Sequence, residues 1–348
     1  MANFTRLGLD DTVAYTEKLT TNTWTNATNN LTTAFTSSTQ ASFNSPTSSG
    51  HFFIEVFNEA TSSATSEVQY AISYGHKGGS GSVDFTNDTG SFGFSPSKTI
   101  YHQYKNLVFG NVDQNFKFGT HTPPDIYVIN INRSRYKHNL KPGSLNLFIQ
   151  TGGGGAGEKL RLTDDSVTQT GSAVITNVGR QFNIVSGADG VMIGSALDQT
   201  SSGSYGLFYP DAGFILLNPD AIGDAAFGTG LLSVNPQRFF NQNNFNGRKL
   251  FNAISASGHF ILDSQEQVTS NYYFLRVRNQ EFNYSANPSF KLSNGNLRFV
   301  SMHDNPKTYI TTVGLYNDSN ELLAVAKLSQ PLEKTFAKEA LIRMKLDH

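Results

Sequence analysis

What most constrains this chain is a recurring pattern: short runs of β-branched and aromatic residues, each cut off within a few positions by Ser, Thr, Gly, Asn or Pro. Runs of that length with such boundaries read as strands rather than helices. His51–Phe57 and Glu67–Tyr74 are the first pair, with Val68, Tyr70, Ile72 and Tyr74 alternating onto one face. Asp125–Ile131 and Ser144–Ile149 follow, separated by a basic loop, and Leu207–Leu217 reads as a hairpin turned at Pro210 to Gly213. The last third carries Tyr272–Arg278, Gly295–Val300, Tyr309–Tyr316, Leu322–Leu328 and Leu341–Leu346. Asn317–Asn320 has the residues of a hairpin turn, since Asn and Asp tolerate the left-handed region. Helical spacing is confined to Ser97–Val108, where Tyr101, Tyr104 and Val108 recur, and to Pro236–Ser257, which holds one or two helices around Phe239, Phe240, Leu250, Phe251 and Ile254. A parallel sheet needs a crossover helix for each strand pair, and the chain supplies too few. The expectation is a mainly β fold of antiparallel, sandwich-like sheets with a few short helices and an extended N-terminal arm.

The arm is read from charge. No Asp, Glu, Lys or Arg occurs from Leu19 to Ile54, and residues 20–49 are dominated by Thr, Ser and Asn, which bury little. Trp24, Leu31, Phe35 and Phe43 are too few for a core but suit a strap lying on a neighbour's surface; a disordered leader has the same composition. The 348 residues permit one large core or two smaller ones. Four regions are expected: an arm over 1–50, a β-rich domain with one short helix over 51–150, an acidic middle region over 151–265, and an antiparallel β region over 266–348. The glycine run within Thr151–Gly157 is either a hinge between halves or a tight turn between strands. From Glu158 to Asp224, Lys159, Arg161 and Arg180 stand against Glu158 and seven Asp.

Most chemistry is searched for without success. Lys+Arg 26 against Asp+Glu 27 leaves a net charge of -1, no field to draw the whole chain onto nucleic acid or anionic lipid. No apolar run approaches the roughly 20 residues that cross a bilayer, and the N-terminus lacks the features of an export signal. With Cys 0, disulfides, thiolate nucleophiles and cysteine-bound metals are excluded. Glu158-Lys159-Leu160 follows the glycine run where a phosphate loop needs Lys then Ser or Thr, and Gly78–Ser82 ends in Ser where a nucleophile elbow needs Gly. The eight histidines form no His-x-x-x-His pair; His121 with Asp125, and His303 with Asp304, bring imidazole near carboxylate without a third partner. Asp164-Asp165 would point to opposite faces of a strand rather than converge on a sugar, and Asp211, Asp220 and Asp224 lie in no calcium loop. The chain therefore reads as having no enzyme activity, cofactor or metal. One charge cluster stands out, Asn132–Lys141, where Arg133, Arg135, Lys137 and Lys141 flank Tyr136 and His138. Cations beside an aromatic clamp phosphate, a nucleobase or acidic side chains of another protein. In a neutral chain the protein partner ranks first, the acidic 158–224 region offering a complementary surface on a like subunit. The partner-contact candidates are Arg133, Arg135, Tyr136, Lys137 and Lys141, with Trp24, Phe35 and Phe43 from the arm.

Three C-terminal blocks, Tyr272–Tyr284, Tyr309–Leu328 and Lys338–Leu346, resemble virion structural proteins of T4-like contractile-tailed phages, especially those infecting marine cyanobacteria. The likeness extends more loosely to Ile126–Leu147 and Tyr209–Pro219. It implies a particle component of the tail or baseplate, assembled in the bacterial cytoplasm in multiple symmetric copies against other virion structural proteins. Neither a membrane nor nucleic acid is an implied partner, and no catalytic residues transfer. A head or neck decoration or connector protein is the alternative. A glycan-binding receptor-recognition protein, with Trp24, tyrosines and the Asp-rich middle lining a sugar groove, is a third reading.

Overall fold

The computed structural model describes residues 4–25, 36–38, 53–79, 96–111, 113–150, 159–168, 173–194, 200–222 and 243–347. In chain order its strands are β1 (Thr12–Asn22), β2 (Thr36–Ser38), β3 (Phe53–Phe57), β4 (Val68–His76), β5 (Asp125–Ile131), β6 (Asn139–Leu140), β7 (Asn146–Gln150), β8 (Lys159–Asp164) and β9 (Val174–Thr176). They continue with β10 (Gly179–Ala188), β11 (Val191–Met192), β12 (Gly206–Tyr209), β13 (Phe214–Leu217), β14 (Phe260–Ile261), β15 (Asp263–Val277), β16 (Thr308–Tyr316), β17 (Leu322–Lys334) and β18 (Ala340–Asp347). The α-helices are α1 (Pro96–Phe109), α2 (Pro219–Ile222) and α3 (Asn243–Ser257). The fold is mainly antiparallel β, as the sequence pattern predicts. It divides into a large unit, Leu19–Glu266, and a small unit made of Met1–Lys18 with Gln267–His348.

The large unit is built on one curled sheet with the strand order β14-β7-β8-β10-β12-β13-β5-β4-β3-β2, and β9 and β11 also pair with β10. The curl follows from aromatic contacts: Phe260 in β14 lies 5.2 Å, ring to ring, from Tyr70 in β4, and Trp24 reaches both at 4.9 and 5.7 Å. Helix α3 packs on β3, β4 and β7. Strands β5, β12 and β13 are buried on both faces, which explains why they read as continuous apolar runs. Tyr127, Ile129, Phe208, Ile215 and Leu217 enter the core inside the curl. Ile126, Val128, Leu207, Tyr209, Phe214 and Leu216 meet Ile100, Tyr101 and Val108 of α1 in a second cluster. Gly75 sets the approach of α1: a Cβ there would stand 2.8 Å from the Tyr101 backbone nitrogen.

Several expectations are corrected here. The region 51–265 is not split at the glycine run. Residues 151–158 lie outside the described residues, but Gln150 pairs directly with Lys159, so β7 and β8 are antiparallel neighbours within one unit, as the turn reading of the glycine run expects and the hinge reading does not. The uncharged N-terminal stretch is in part incorporated: Thr20–Asn22 belong to β1, Trp24 is buried, and Thr36–Ser38 pair with β3. Phe35 and Phe43 lie outside the described residues. One helix, α3, occupies the end of the 236–257 stretch, and 223–242 lie outside the described residues.

In the small unit β15 lies between β1 and β18, with Ser270 opposite Asp347 and Val277 opposite Ala340. Strand β15 begins nine residues before the apolar run at Tyr272, because backbone pairing carries a polar stretch that periodicity alone misses. Strands β16 and β17 form a separate two-stranded ribbon. Its turn uses the predicted residues: Asn320 adopts φ 60°, and the Asn317 side chain accepts from Glu321 N at 2.8 Å. The strand expected over Gly295–Val300 is absent. Gly295, at φ +89°, turns the chain, a single bridge joins Lys291 to Leu297, and a 3-10 turn follows at Val300–Met302, where Val300 is 84% exposed. Its apolar residues have no sheet neighbour to pair with. At the foot of the ribbon the fully buried Lys334 donates to Asn279 O, Asn283 Oδ1 and Thr335 O, each at 2.9 Å. Burial pushes its ammonium below the usual lysine range, and the charges of Glu281 and Glu339 oppose that shift.

Candidate assembly surfaces

The basic loop of the large unit is held by its own fold. Asn132 caps a 3-10 turn over Arg133–Arg135, its side chain accepting from Ser134 N at 3.0 Å. Arg133 Nη1 donates to Tyr136 O at 2.6 Å, and its guanidinium lies 4.6 Å from the Tyr136 ring centroid. Arg135 is committed inward: it pairs with Glu67 Oε2 at 2.8 Å and donates to Thr25 Oγ1. Tyr136 is buried against Gly213, at φ +76°, and its hydroxyl donates to Ala212 O at 3.2 Å. Lys141 donates its backbone N–H to Asp263 O at 2.8 Å. Burial raises the Asp263 carboxyl, and the Lys141 charge opposes that rise. Of the loop's five candidates only Arg133 and Lys137 are exposed.

Trp24 is corrected from strap to core residue. It is 3% exposed, and its indole Nε1 donates to Phe260 O at 2.7 Å. A sugar groove on Trp24 is excluded by the same burial. The tyrosines Tyr70, Tyr74, Tyr127 and Tyr209 are likewise interior.

Among the described residues, Asp164, Asp165, Asp211 and Asp220 of the middle region are spent locally rather than presented as a face, whereas the Asp189 side chain is 76% exposed. Asp211 accepts from Arg180 Nε at 3.0 Å and Nη2 at 2.5 Å; burial opposes its ionisation, but these bonds outweigh burial and hold the carboxyl below its ordinary value. Asp220 pairs with His121 Nε2 at 2.9 Å, while Asp125, the acid expected near His121, accepts from the Tyr74 hydroxyl instead. Asp164 accepts from Gly143 N at 2.9 Å and Asp165 from Asn183 N at 2.9 Å. Burial pushes both carboxyls above their ordinary value. Among the described residues no group of three or more His, Cys, Asp or Glu is placed to hold a metal, and no helix is long and apolar enough to cross a membrane.

The small unit is the opposite case. Every residue of its part of β1, Thr12 to Lys18, is exposed, and Leu341 in β18 is 64% exposed on the face opposite the buried Ile342 and Met344. In the ribbon, Val313, Ala324, Ala326 and Leu328 are half-buried and Leu315 buried, whereas Thr312, Gly314, Tyr316, Val325 and Lys327 on the other face are exposed. Leu323 is 67% and Val325 58% exposed. Nothing in composition marks this surface, because the same apolar alternation serves a buried strand and a strand waiting for cover. A groove of about 550 Å³, lined by Phe282, Tyr284, Phe290, Phe336, Gln280 and Asn283, also lies in this unit. No protein-family model, curated protein or solved structure matches the chain.

Proposed function

We propose that this chain is a structural subunit of a phage virion, stationed in the tail or baseplate, and that it acts by protein–protein assembly in multiple copies. The observation that carries an assembly role is the small unit: long strands, including a two-stranded ribbon, whose apolar side chains stay exposed among the described residues, Phe4 against Tyr316 being one local contact. Contiguous exposed apolar surface of that kind favours a protein neighbour. A lone ribbon is marginal in water until more strands or another layer join it. The phage assignment is supported by the resemblance of Tyr272–Tyr284, Tyr309–Leu328 and Lys338–Leu346, blocks that include most of these strands. The test is mass spectrometry of fractionated phage particles, with purified tails and baseplates separated from DNA-filled heads. Recovery with tails or baseplates is the expected result. Recovery with heads alone would move the subunit to the head or neck, and absence from both would overturn the reading.

A further inference from the structure

The free edges of the small unit are not equivalent. An exposed edge strand is normally guarded against pairing by charge, proline or a bulge. Strand β17 has all three: Lys327, Pro331, and a bulge in which the register passes from Lys327 opposite Thr312 to Leu332 opposite Ile310. Strand β18 carries Arg343 and Lys345, and β1 carries Glu17 and Lys18. Strand β16 has no guard. From Thr308 to Tyr316 it contains no charged residue and no proline, and it pairs on one side only. Among the described residues, no backbone hydrogen bond outside the β16–β17 ladder engages Tyr309–Tyr316.

We propose that this edge of β16 pairs antiparallel with β16 of a second copy of the chain across a two-fold axis, making a four-stranded sheet ordered β17-β16-β16-β17. The proposal deepens the assembly reading by naming the partner and the strand. The sequence of β16 is self-complementary. With the axis at Thr312, Tyr309 faces Leu315, Thr311 faces Val313 and Ile310 faces Gly314, over which the chain's own Tyr316 ring already lies, so aromatic meets aliphatic and no like charges oppose. By contrast, β18 laid on itself about Met344 would set Arg343 against Lys345. Two ribbons joined in this way pass the three-strand threshold that one ribbon fails. A nine-residue strand is roughly 30 Å long. The contact therefore buries roughly several hundred Å² per partner, at the low end of specific interfaces, as expected of a weak contact. Such a contact exchanges in solution and is strengthened when other contacts hold the copies together.

Sedimentation of the full chain over about 1 to 100 μM tests this. The expected result is a monomer–dimer equilibrium that Thr312→Glu weakens at least about tenfold, since two carboxylates then meet near the axis. Lys327 lies directly opposite Thr312 within the ribbon and balances the new charge there, so the fold, followed by circular dichroism, is retained. Thr312→Lys meets Lys327 within its own ribbon, so its fold is followed in the same way; while folded it weakens association too, and mixing the Glu and Lys variants restores it. Without any substitution, alternate amides of Thr308–Tyr316 gain hydrogen-exchange protection as protein concentration rises. A chain monomeric throughout the range, a folded Glu variant that dimerises like the parent, or concentration-independent exchange overturns the pairing. The assembly reading fails separately: a dimer absent from particles sinks that reading and leaves the β16 contact standing.

Discussion

Trp24 is fixed by one buried hydrogen bond to Phe260 O and by ring contacts to Tyr70 and Phe260. Trp24→Ala removes both and is expected to cost about 3–5 kcal/mol in urea unfolding. Trp24→Phe keeps a ring but strands the Phe260 carbonyl, at about 1–3 kcal/mol. Arg135 and Lys137, two residues apart, separate in the same way. Arg135→Glu would set a carboxylate against Glu67 and lower stability, whereas Lys137→Glu on the exposed side of the loop changes it by no more than about 0.5 kcal/mol. That exposed residue is therefore the clean probe of the loop as an assembly contact. If it is one, incorporation into particles measured by mass spectrometry falls while the unfolding midpoint stays; normal incorporation removes the loop from the interface. None of this separation was legible in the chain, where all the loop cations look alike. Trp24 stands in a run of Thr and Asn, and its hydrogen-bond partner is 236 residues away. Sequence locality gave no hint of that contact, so an aromatic residue in a charge-free stretch read as something offered to a neighbour.

At the scale of elements, the joint between α1 and β4 depends on a missing side chain. Gly75→Ala would place a Cβ 2.8 Å from the Tyr101 nitrogen, a backbone atom with no rotamer to yield, and is expected to cost about 1–3 kcal/mol by urea unfolding. The end of β8 has a different sensitivity. Asp164 and Asp165 are buried without a cation among their hydrogen-bond partners, and burial raises both carboxyls. In the unfolded chain they ionise near their ordinary value, about 4, but in the folded protein only at higher pH. Their contribution to stability is thus full in acid and is lost as pH climbs from about 4 through the raised folded values. Asp164→Asn keeps an acceptor for Gly143 N and removes one ionisation. Its stability relative to the parent should improve as pH rises from about 4 to 7, and a difference that stays flat or worsens would reject the burial argument. Elements were the most readable level. Strands β4, β5, β12 and β13 and helix α1 announce themselves because burial imposes a period on their side chains. The first half of β15 and the turn at Gly295 did not, since one is held by backbone pairing under polar side chains and the other carries apolar residues that find no sheet.

Over the whole molecule the two units divide the labour of stability and exposure. Both apolar clusters lie entirely within Leu19–Glu266, while the buried apolar residues described in the small unit are Val277, Phe290, Leu315, Ile342 and Met344. The small unit is also discontinuous in sequence, drawing Met1–Lys18 from one end of the chain and Gln267–His348 from the other. A fragment of residues 19–266 should therefore unfold in one cooperative transition by circular dichroism. A fragment of 267–348, deprived of β1 and of any sizeable core, should not. This is why the domain plan was hard to read from the chain: the glycine run fits a hinge between halves as well as a turn, yet the strands on either side of it pair in one sheet, while the divisions fall inside β1 and β15. The division also bears on function. If assembly is driven from the small unit, the 19–266 fragment keeps its fold, loses self-association in sedimentation, and fails to enter particles. A fragment that still enters them at the parental level would place the assembly contacts in the large unit, and the exposed strands would then need another explanation.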